Sequence, residues 1–382
     1  MKARRFVNVV TADSYLLSRI KLKNNLFYPS AAEAQQHAAM AAASNKKKEN
    51  KTAAATEDVL QLPPSKLRLK PSSRPSFTRL NYMPFYGGGG GGEGNVLCVD
   101  DSGHAALYDA DADTLEMMPG LIGPKGCRRP ISFSVARGAG ELARAGTLYV
   151  LDRVFHSRSP TPSRFEALVY DNPNPNPSPY AGKEDHAWHW RLLPPPPVHR
   201  DSFVGWHALL HGKDGGGGTI YVSYCTDRDP VGTYRFDTGT GEWTKAGDWS
   251  LPFFSQGVHV PELGDNLLFG IELHDPYRFC AMHMHPGSGL EMNGAPVLRH
   301  AWLDIAEPLP EWLSRINSVA YLGDGRFCIH RRFDIMAEFG MESVSVDTVV
   351  LLTGVEVVRV GSRLRMIKHK SKRLNCDIES VL

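Results

Sequence analysis

Apolar and polar residues alternate over short stretches of this chain, and Gly-, Asp- and Pro-rich breaks separate the stretches. In residues 232–253 (GTYRFDTGTGEWTKAGDWSLPF) the period of two puts Tyr234 and Phe236 on one strand face. Asp237, Gly239 and Gly241 then supply a turn and its positive backbone angles, and a second strand carries Trp243. That is the pattern of a β-hairpin. The order apolar strand, aromatic, Asp, turn, apolar strand recurs at 106–121 (ALYDADADTLEMMPGL) and at 167–197, where a long insert separates ALVYD from WHWRLLPPPP. Repetition of one supersecondary unit decides the architecture before any other signal does.

Five groups follow from the spacing: 77–121, 130–197, 203–253, 258–305 and 316–373, each with room for four short strands around a Gly- or Asp-marked hairpin. Four-stranded units of about 40–50 residues are the mark of a β-propeller blade. RRFVNVV at 4–10 and YLLSRIKL at 15–22 read as strands that pair with each other, and Leu67 and Leu69 mark one more edge strand. These supply a sixth blade or close the ring, removing exposed sheet edges. The predicted fold is all-β, a kelch-like β-propeller of about six four-stranded blades (five to six), with a β-sandwich as the alternative. Helix is expected to be scarce, with only LPEWLSR at 309–315 looking like a helical turn.

The expected division places N-terminal strands at 1–29, a low-complexity insert at 30–61, the propeller at 62–373 and a tail at 374–382. The insert is rich in Ala, Gln, Lys, Asn and Glu and lacks large apolar residues with which to dock, so it reads as disordered or as a loosely attached helix.

Composition adds bounds. At 382 residues and 42% hydrophobic the chain can bury a large core, and a net charge of +2 gives no bulk attraction for nucleic acid. Cys98, Cys127, Cys225, Cys280, Cys328 and Cys376 form no CxxC pair, and Cys98, Cys225, Cys280 and Cys328 lie in apolar runs; the reading is reduced core thiols. Asn8 and Asp13 interrupt the first apolar run too early for a signal peptide, and no stretch approaches a membrane span. The protein is expected to be intracellular, in the cytoplasm, the nucleus or both.

Candidate chemistry is sparse. His259, His274, His283 and His285 resemble a metal set, since His283 and His285 share a strand face, but the sequence places no third ligand and solvent-facing histidines explain them. Trp188, His189 and Trp190, near His186, read as strand packing rather than a sugar platform. Asp100, Asp101, Asp109, Asp111 and Asp113 lack the spacing of an EF-hand loop and read as turn residues. The chain has no GxSxG elbow, phosphate loop, HExxH or dinucleotide fingerprint, and its glycine runs at 87–92 and 215–218 read as linkers. Arg363, Arg365, Lys368, Lys370, Lys372 and Arg373 form the strongest charge feature. Its first half reads as an amphipathic edge strand and its KHKSKR half as a solvated tail, with nuclear import or an acidic partner as the functional alternative. No catalytic, cofactor-binding or metal-binding residue is predicted, and no cofactor.

RRFVNVV at 4–10, LFYP at 26–29, LCVDDSGHAALYDAD at 97–111, the hairpin at 232–253, GDGRFCI at 323–329 and LLTGVEVVRVGSRLRMIKHKSKR at 351–373 resemble a known family. It looks like the plant family called domain of unknown function 1668, expanded in grasses, over residues 4 to about 373 apart from the tract at 30–60. The family has no established activity, so the resemblance carries no catalytic residue over. Its similarity to kelch and F-box-associated propellers implies a protein-binding platform, although residues 1–29 are too short for the helical F-box module. The resulting expectation is a non-enzymatic scaffold holding another protein through loops on one face of the ring. The alternative is an enzyme or small-molecule receptor using the central funnel. Membrane and nucleic-acid partners are not expected.

Overall fold

The computed structural model describes residues 3–12, 14–45, 58–70, 80–85, 94–123, 130–135, 146–155, 164–174, 182, 185–198, 201–212, 217–227, 229–274, 277–284, 294–302, 312–339 and 342–382. Strands β1 (Phe6–Thr11) and β2 (Leu16–Lys21) form the first hairpin, as their alternation requires. Helix α1 (Ala31–Asn45) and the short strands β3 (Val59–Leu60) and β4 (Leu67–Arg68) follow. Each repeated group then yields four strands. The first holds β5 (Leu80–Pro84), β6 (Asn95–Asp100), β7 (Ala105–Asp109) and β8 (Thr114–Met118). The second holds β9 (Ile131–Val135), β10 (Thr147–Leu151), the two-residue β11 (Val154–Phe155), β12 (Phe165–Asp171) and β13 (Ala187–Leu193). The third holds β14 (Ser202–His211), β15 (Gly218–Cys225), β16 (Pro230–Asp237) and β17 (Glu242–Gly247). The fourth holds β18 (Gln256–His259), β19 (Leu267–Ile271), β20 (Phe279–His283) and β21 (Val297–Trp302). The fifth holds β22 (Trp312–Gly323), β23 (Arg326–Phe339), β24 (Glu342–Val360) and β25 (Arg363–Leu374), and β26 (Ile378–Val381) ends the chain.

Within every group the four main strands pair antiparallel in chain order, while β26 and β1, from opposite ends of the sequence, meet in a further four-stranded sheet of order β26-β1-β2-β4. The chain divides into two compact units, one of Met1–Arg68, Pro252–Pro286 and Pro296–Leu382, the other of Leu69–Leu251 and Gly287–Ala295.

Each unit is three sheets deep, and its middle sheet buries both faces. In the second unit Leu148, Val150 and Leu168 press on Met83, Phe85 and Leu97 of the β5–β8 sheet. The alternate residues Tyr149, Leu151 and Phe165 press on Ile220, Val222 and Phe236 of the β14–β17 sheet. In the first unit Cys328, Val350 and Leu352 of the β22–β25 sheet face Val7, Val9 and Ile20, whereas Phe327, Ile329 and Val355 face Phe269, Ile271 and Phe279. A two-sheet sandwich covers only one face of each sheet, so this stacking is that of propeller blades. The chain is all-β, built of four-stranded antiparallel sheets.

Three expectations are corrected. Residues 312–315, read as part of a helical turn at 309–315, begin β22, because Trp312 pairs with Ile335 and its ring lies 5.3 Å from that of Phe333; residues 309–311 lie outside the described residues. Cross-strand burial outweighs the weak local preference of one turn. The insert at 30–61, read as disordered or as a loosely attached helix, is corrected in part: it carries helix α1, held by specific contacts, while residues 46–57 lie outside the described residues. Ser30 caps α1, its Oγ accepting the Glu33 N–H at 3.2 Å and donating to Glu33 Oε1 at 3.5 Å, and the Tyr28 and His37 rings stack 4.5 Å apart. Ala34 is buried, and Leu60 and Leu62 pack on the core between the β22–β25 and β26-β1-β2-β4 sheets. The contact is made by small residues, which the search for large apolar ones overlooks. Finally, the tail at 374–382 contains β26, which pairs with β1 and buries Ile378.

One hairpin outgrows its sheet. β25 stops pairing with β24 at Leu374–Val350, yet β24 continues to pair with β23 as far as Phe339–Glu342. Its base is fixed by buried Phe333, Val349 and Leu351 with Trp312 and Ile335 packed against them. Beyond that base, residues 343–347 are exposed, including Val344 and Val346.

The hairpin of β16 and β17 forms as its turn residues dictate, with Asp237 Oδ1 accepting the N–H groups of Gly239 (2.8 Å) and Thr240 (3.0 Å) and Gly241 at φ +75°. Trp243 lies 5.1 Å from Phe236 and 5.4 Å from Phe165 of the neighbouring sheet, and its Nε1–H donates to Pro194 O at 2.9 Å. Trp243→Ala removes a ring that bridges two sheets and leaves the Pro194 carbonyl short of a donor. Because the ring is half-buried, the expected cost is about 3 kcal/mol, at the low end for a core Trp. Thermal unfolding of the purified variant checks this, and a melting temperature unchanged from the parent contradicts the bridging role.

Candidate functional site

The basic strand and the LFYP stretch, 341 residues apart at their linking hydrogen bond, come together in the first unit. β25 alternates exposed Arg363 and Arg365 with buried Leu364 and Met366, as an amphipathic edge strand does. The KHKSKR half is no solvated tail but a continuation of the same strand, held between β24 and the parallel β3. The reason is His369, whose side chain is fully buried. The Tyr28 N–H donates to its Nδ1 at 3.2 Å, which leaves the proton on Nε2, and Nε2 lies 3.0 Å from Glu356 Oε2. This bond leads the causes that hold the Glu356 carboxyl below the ordinary glutamate value. Lys370 Nζ sits 4.6 Å over the Tyr28 ring and donates to Asn24 O at 2.9 Å. Gly354 makes the approach possible, since a Cβ there would lie 2.4 Å from the Leu26 carbonyl oxygen. Lys372 pairs with Asp58 at 2.8 Å and Arg373 with Asp347 at 3.7 Å. These cations fasten one chain segment to another, which no local spacing in the sequence announces.

The other candidates fall apart in space or serve turns. His259 is buried on β18, His283 ends β20, His274 sits exposed in a bend, and His285 lies outside the described residues. Among the described residues no three His, Cys, Asp or Glu gather as a metal site. Trp190 is buried with its Nε1–H on Pro119 O at 2.8 Å, Trp188 packs edge-on to Phe85, His186 lies edge-on to Tyr170, and His189 Nε2 lies 3.3 Å from Asp171. These are inter-sheet and cross-strand contacts. Asp109 Oδ1 accepts the Asp111 and Ala112 N–H groups, Asp113 takes the Tyr108 hydroxyl, Asp101 lies in the turn after β6, and Asp100 accepts from Ser102 and His104. Cys98, Cys225, Cys280 and Cys328 are buried and unbridged, with burial pushing Cys328 up to about 12. Cys127 lies outside the described residues.

Several polar groups were not legible beforehand. Glu166 is fully buried and accepts the N–H groups of Ile122 (2.9 Å) and Gly123 (3.3 Å), clasping the turn after β8. Arg331 is buried, donates to Tyr277 O at 2.5 Å and is pushed down to about 10 by desolvation. His207 is driven down to about 3 by burial, with Arg153 adding to the effect, and His330 to about 4 by burial and then Arg332. A shallow groove of about 500 Å³ lies between Thr11, Ser14, Gln61, Pro63, Cys376 and Asp377. Asp377 at its wall pairs with Arg332 at 3.1 Å.

The two neutral histidines set a pH dependence. Their folded values lie below the ordinary 6.5, so below that pH the unfolded chain takes up protons that the folded chain refuses, and stability falls until the folded values are reached. Over that span His330 contributes about 3 kcal/mol and His207 about 5 kcal/mol. Between pH 6 and pH 5, where most carboxylates stay ionised, His330→Leu is expected to flatten the decline in unfolding free energy seen in denaturant titrations. A slope equal to the parent's contradicts the assignment.

No curated protein matches the chain. A family model described as protein of unknown function (DUF1668) matches residues 4–374, nearly the whole length. The chain therefore belongs to the DUF1668 family of proteins of unknown function.

Proposed function

We propose that the protein is a non-enzymatic scaffold, a closed kelch-like propeller of six blades, that binds another protein inside the cell. The observation that carries this reading is where the exposed large apolar side chains sit. Among the described residues, Leu115 and Met117 lie on β8, Leu192 on β13, Val297 and Leu298 on β21, Val59 on β3 and Leu313 on β22, all outermost strands of their sheets, whereas Val344, Val346 and Val360 lie on the inner β24 and Met40 and Ile122 lie outside strands. Edge strands in isolated proteins are ordinarily guarded by charge, so apolar pairs there favour a covering partner. The pairing of β1 with β26 supports ring closure, and the four buried, unbridged thiols suit a reducing compartment such as the cytoplasm or nucleus.

The competing reading, an enzyme or small-molecule receptor, has in its favour the groove beside Cys376 and Asp377, whose volume of about 500 Å³ falls in the ligand-pocket range. The experiment that separates them is affinity purification with mass spectrometry on the parent and on Leu115→Glu/Met117→Glu, whose side chains already face water. A specific partner lost in the variant at an unchanged melting temperature supports the scaffold. Absence of any specific partner under several conditions, together with turnover in a metabolite screen, overturns it.

A further inference from the structure

The arm formed by the ends of β23 and β24 presents a strand edge with which no other strand pairs among the described residues. β24 spans Glu342–Val360, and its ladder with β25 begins only at Val350. Across residues 342–349 its one strand partner among the described residues is β23. In an antiparallel pair, alternate residues aim N–H and C=O away from the partner, so this stretch carries outward-facing backbone donors and acceptors, save the Thr348 N–H, which Asp347 Oδ1 accepts at 2.8 Å. An isolated two-stranded ribbon is marginal in water, yet this one is anchored by Phe333, Val349 and Leu351, with the Trp312 ring 5.3 Å from that of Phe333. A pre-set edge loses little conformational freedom when a strand is added.

Protection against such addition is weak. Native edges are blunted by Lys, Pro and bulges. Residues 336–349 (MAEFGMESVSVDTV) contain no Lys, Arg or Pro, and the single bulge leaves Val346 unpaired between Ser345 and Asp347. Val344 and Val346 stand exposed, 45% and 54%, on a strand where Ser and Val alternate.

Charge selects the occupant. Residues 336–349 hold Glu338, Glu342 and Asp347 and no Lys or Arg; Arg373 of β25 reaches Asp347 at 3.7 Å, which leaves Glu338 and Glu342 as the excess negative charge. A second copy is disfavoured, because it would bring the same acidic stretch, with Glu338 and Glu342 and no cation, against itself. A strand with Lys or Arg beside its apolar residues meets the opposite field. We propose that the outer edge of β24 over residues 342–349 binds an extended, basic segment of another protein by β-strand addition. This rests on the scaffold reading above and names the partner chemistry at one edge. Backbone hydrogen bonds supply the affinity, while the carboxylates steer encounter and reject acidic strands.

The probe is a fluorescent nonapeptide of alternating lysine and valine, compared with its glutamate–valine counterpart and with a lysine–valine version N-methylated at alternate amides. Fluorescence anisotropy is expected to show saturable binding of the first to the full chain, with both controls at least tenfold weaker. Glu338→Lys/Glu342→Lys is expected to weaken the basic peptide at least tenfold and to reduce its salt dependence. Because neighbouring residues of a strand aim their N–H groups at opposite edges, Ser343→Pro and Val344→Pro are made separately. One of them is expected to abolish binding at an unchanged melting temperature. Equal affinity for the N-methylated peptide, affinity within twofold for the charge-reversed variant, or a dimer in sedimentation that Val344→Pro abolishes each overturns the proposal. Partner capture that depends on Leu115 and Met117 yet survives both proline variants separates failure at this edge from failure of the scaffold reading.

Discussion

The middle sheet of each unit carries apolar layers on both of its faces, and that double burial sets nearly everything else. The alternation along β10 sends Leu148 and Val150 to one neighbour and Tyr149 and Leu151 to the other, so neither face of the strand is left for water. Phe327 plays the corresponding part in the first unit, its ring 5.2 Å from Phe269 and 5.3 Å from Phe279. With the apolar layers committed to neighbouring sheets, polar side chains inside the stack must be satisfied locally. Glu166 and His369 are held this way, each taking backbone N–H groups from a segment that would otherwise float. Burying such groups without partners costs several kcal/mol, which is why their contacts are specific.

The strands and their grouping were legible because period-two alternation and turn chemistry are local signals. The turn of Asp237, Gly239 and Gly241, the four strands in each of the five groups and the β1–β2 hairpin all follow from residues close in sequence. What escaped was set by distant partners. Trp312 has a helical neighbourhood in sequence and a strand partner at Ile335. The basic stretch after Ile367 looks soluble residue by residue, yet His369 is buried by Tyr28 and Glu356. β26 carries too few residues to announce itself and is fixed by a strand at the other end of the chain.

Candidate chemistry was legible in a different way. The individual residue types were visible, but their roles depended on which of them met. Histidines grouped in sequence, such as His274 and His283, lie on separate elements, whereas His330 and Ser318, on paired strands, form a contact at 3.2 Å. The buried cations tell the same story, with Arg331 reaching the carbonyl of Tyr277, 54 positions away.

The sheet that joins β1 to β26 has a consequence for how the chain is made. β1 and β2 leave the ribosome first, but the strand that covers the β1 edge and the Phe27 and Leu26 contacts on β25 arrive last. At about 5–20 residues per second, synthesis of the intervening chain takes tens of seconds. Leu69–Leu251 make up most of the second compact unit, and the described core clusters of its sheets draw no residue from β1, β2 or β22–β26. The first hairpin differs: its apolar face, with Val7, Val9 and Ile20, waits uncovered until the final sheet is available. Nascent chains of this protein thus pass through a period in which the first hairpin is an uncovered, sticky ribbon, the stage at which a holding chaperone has most to do.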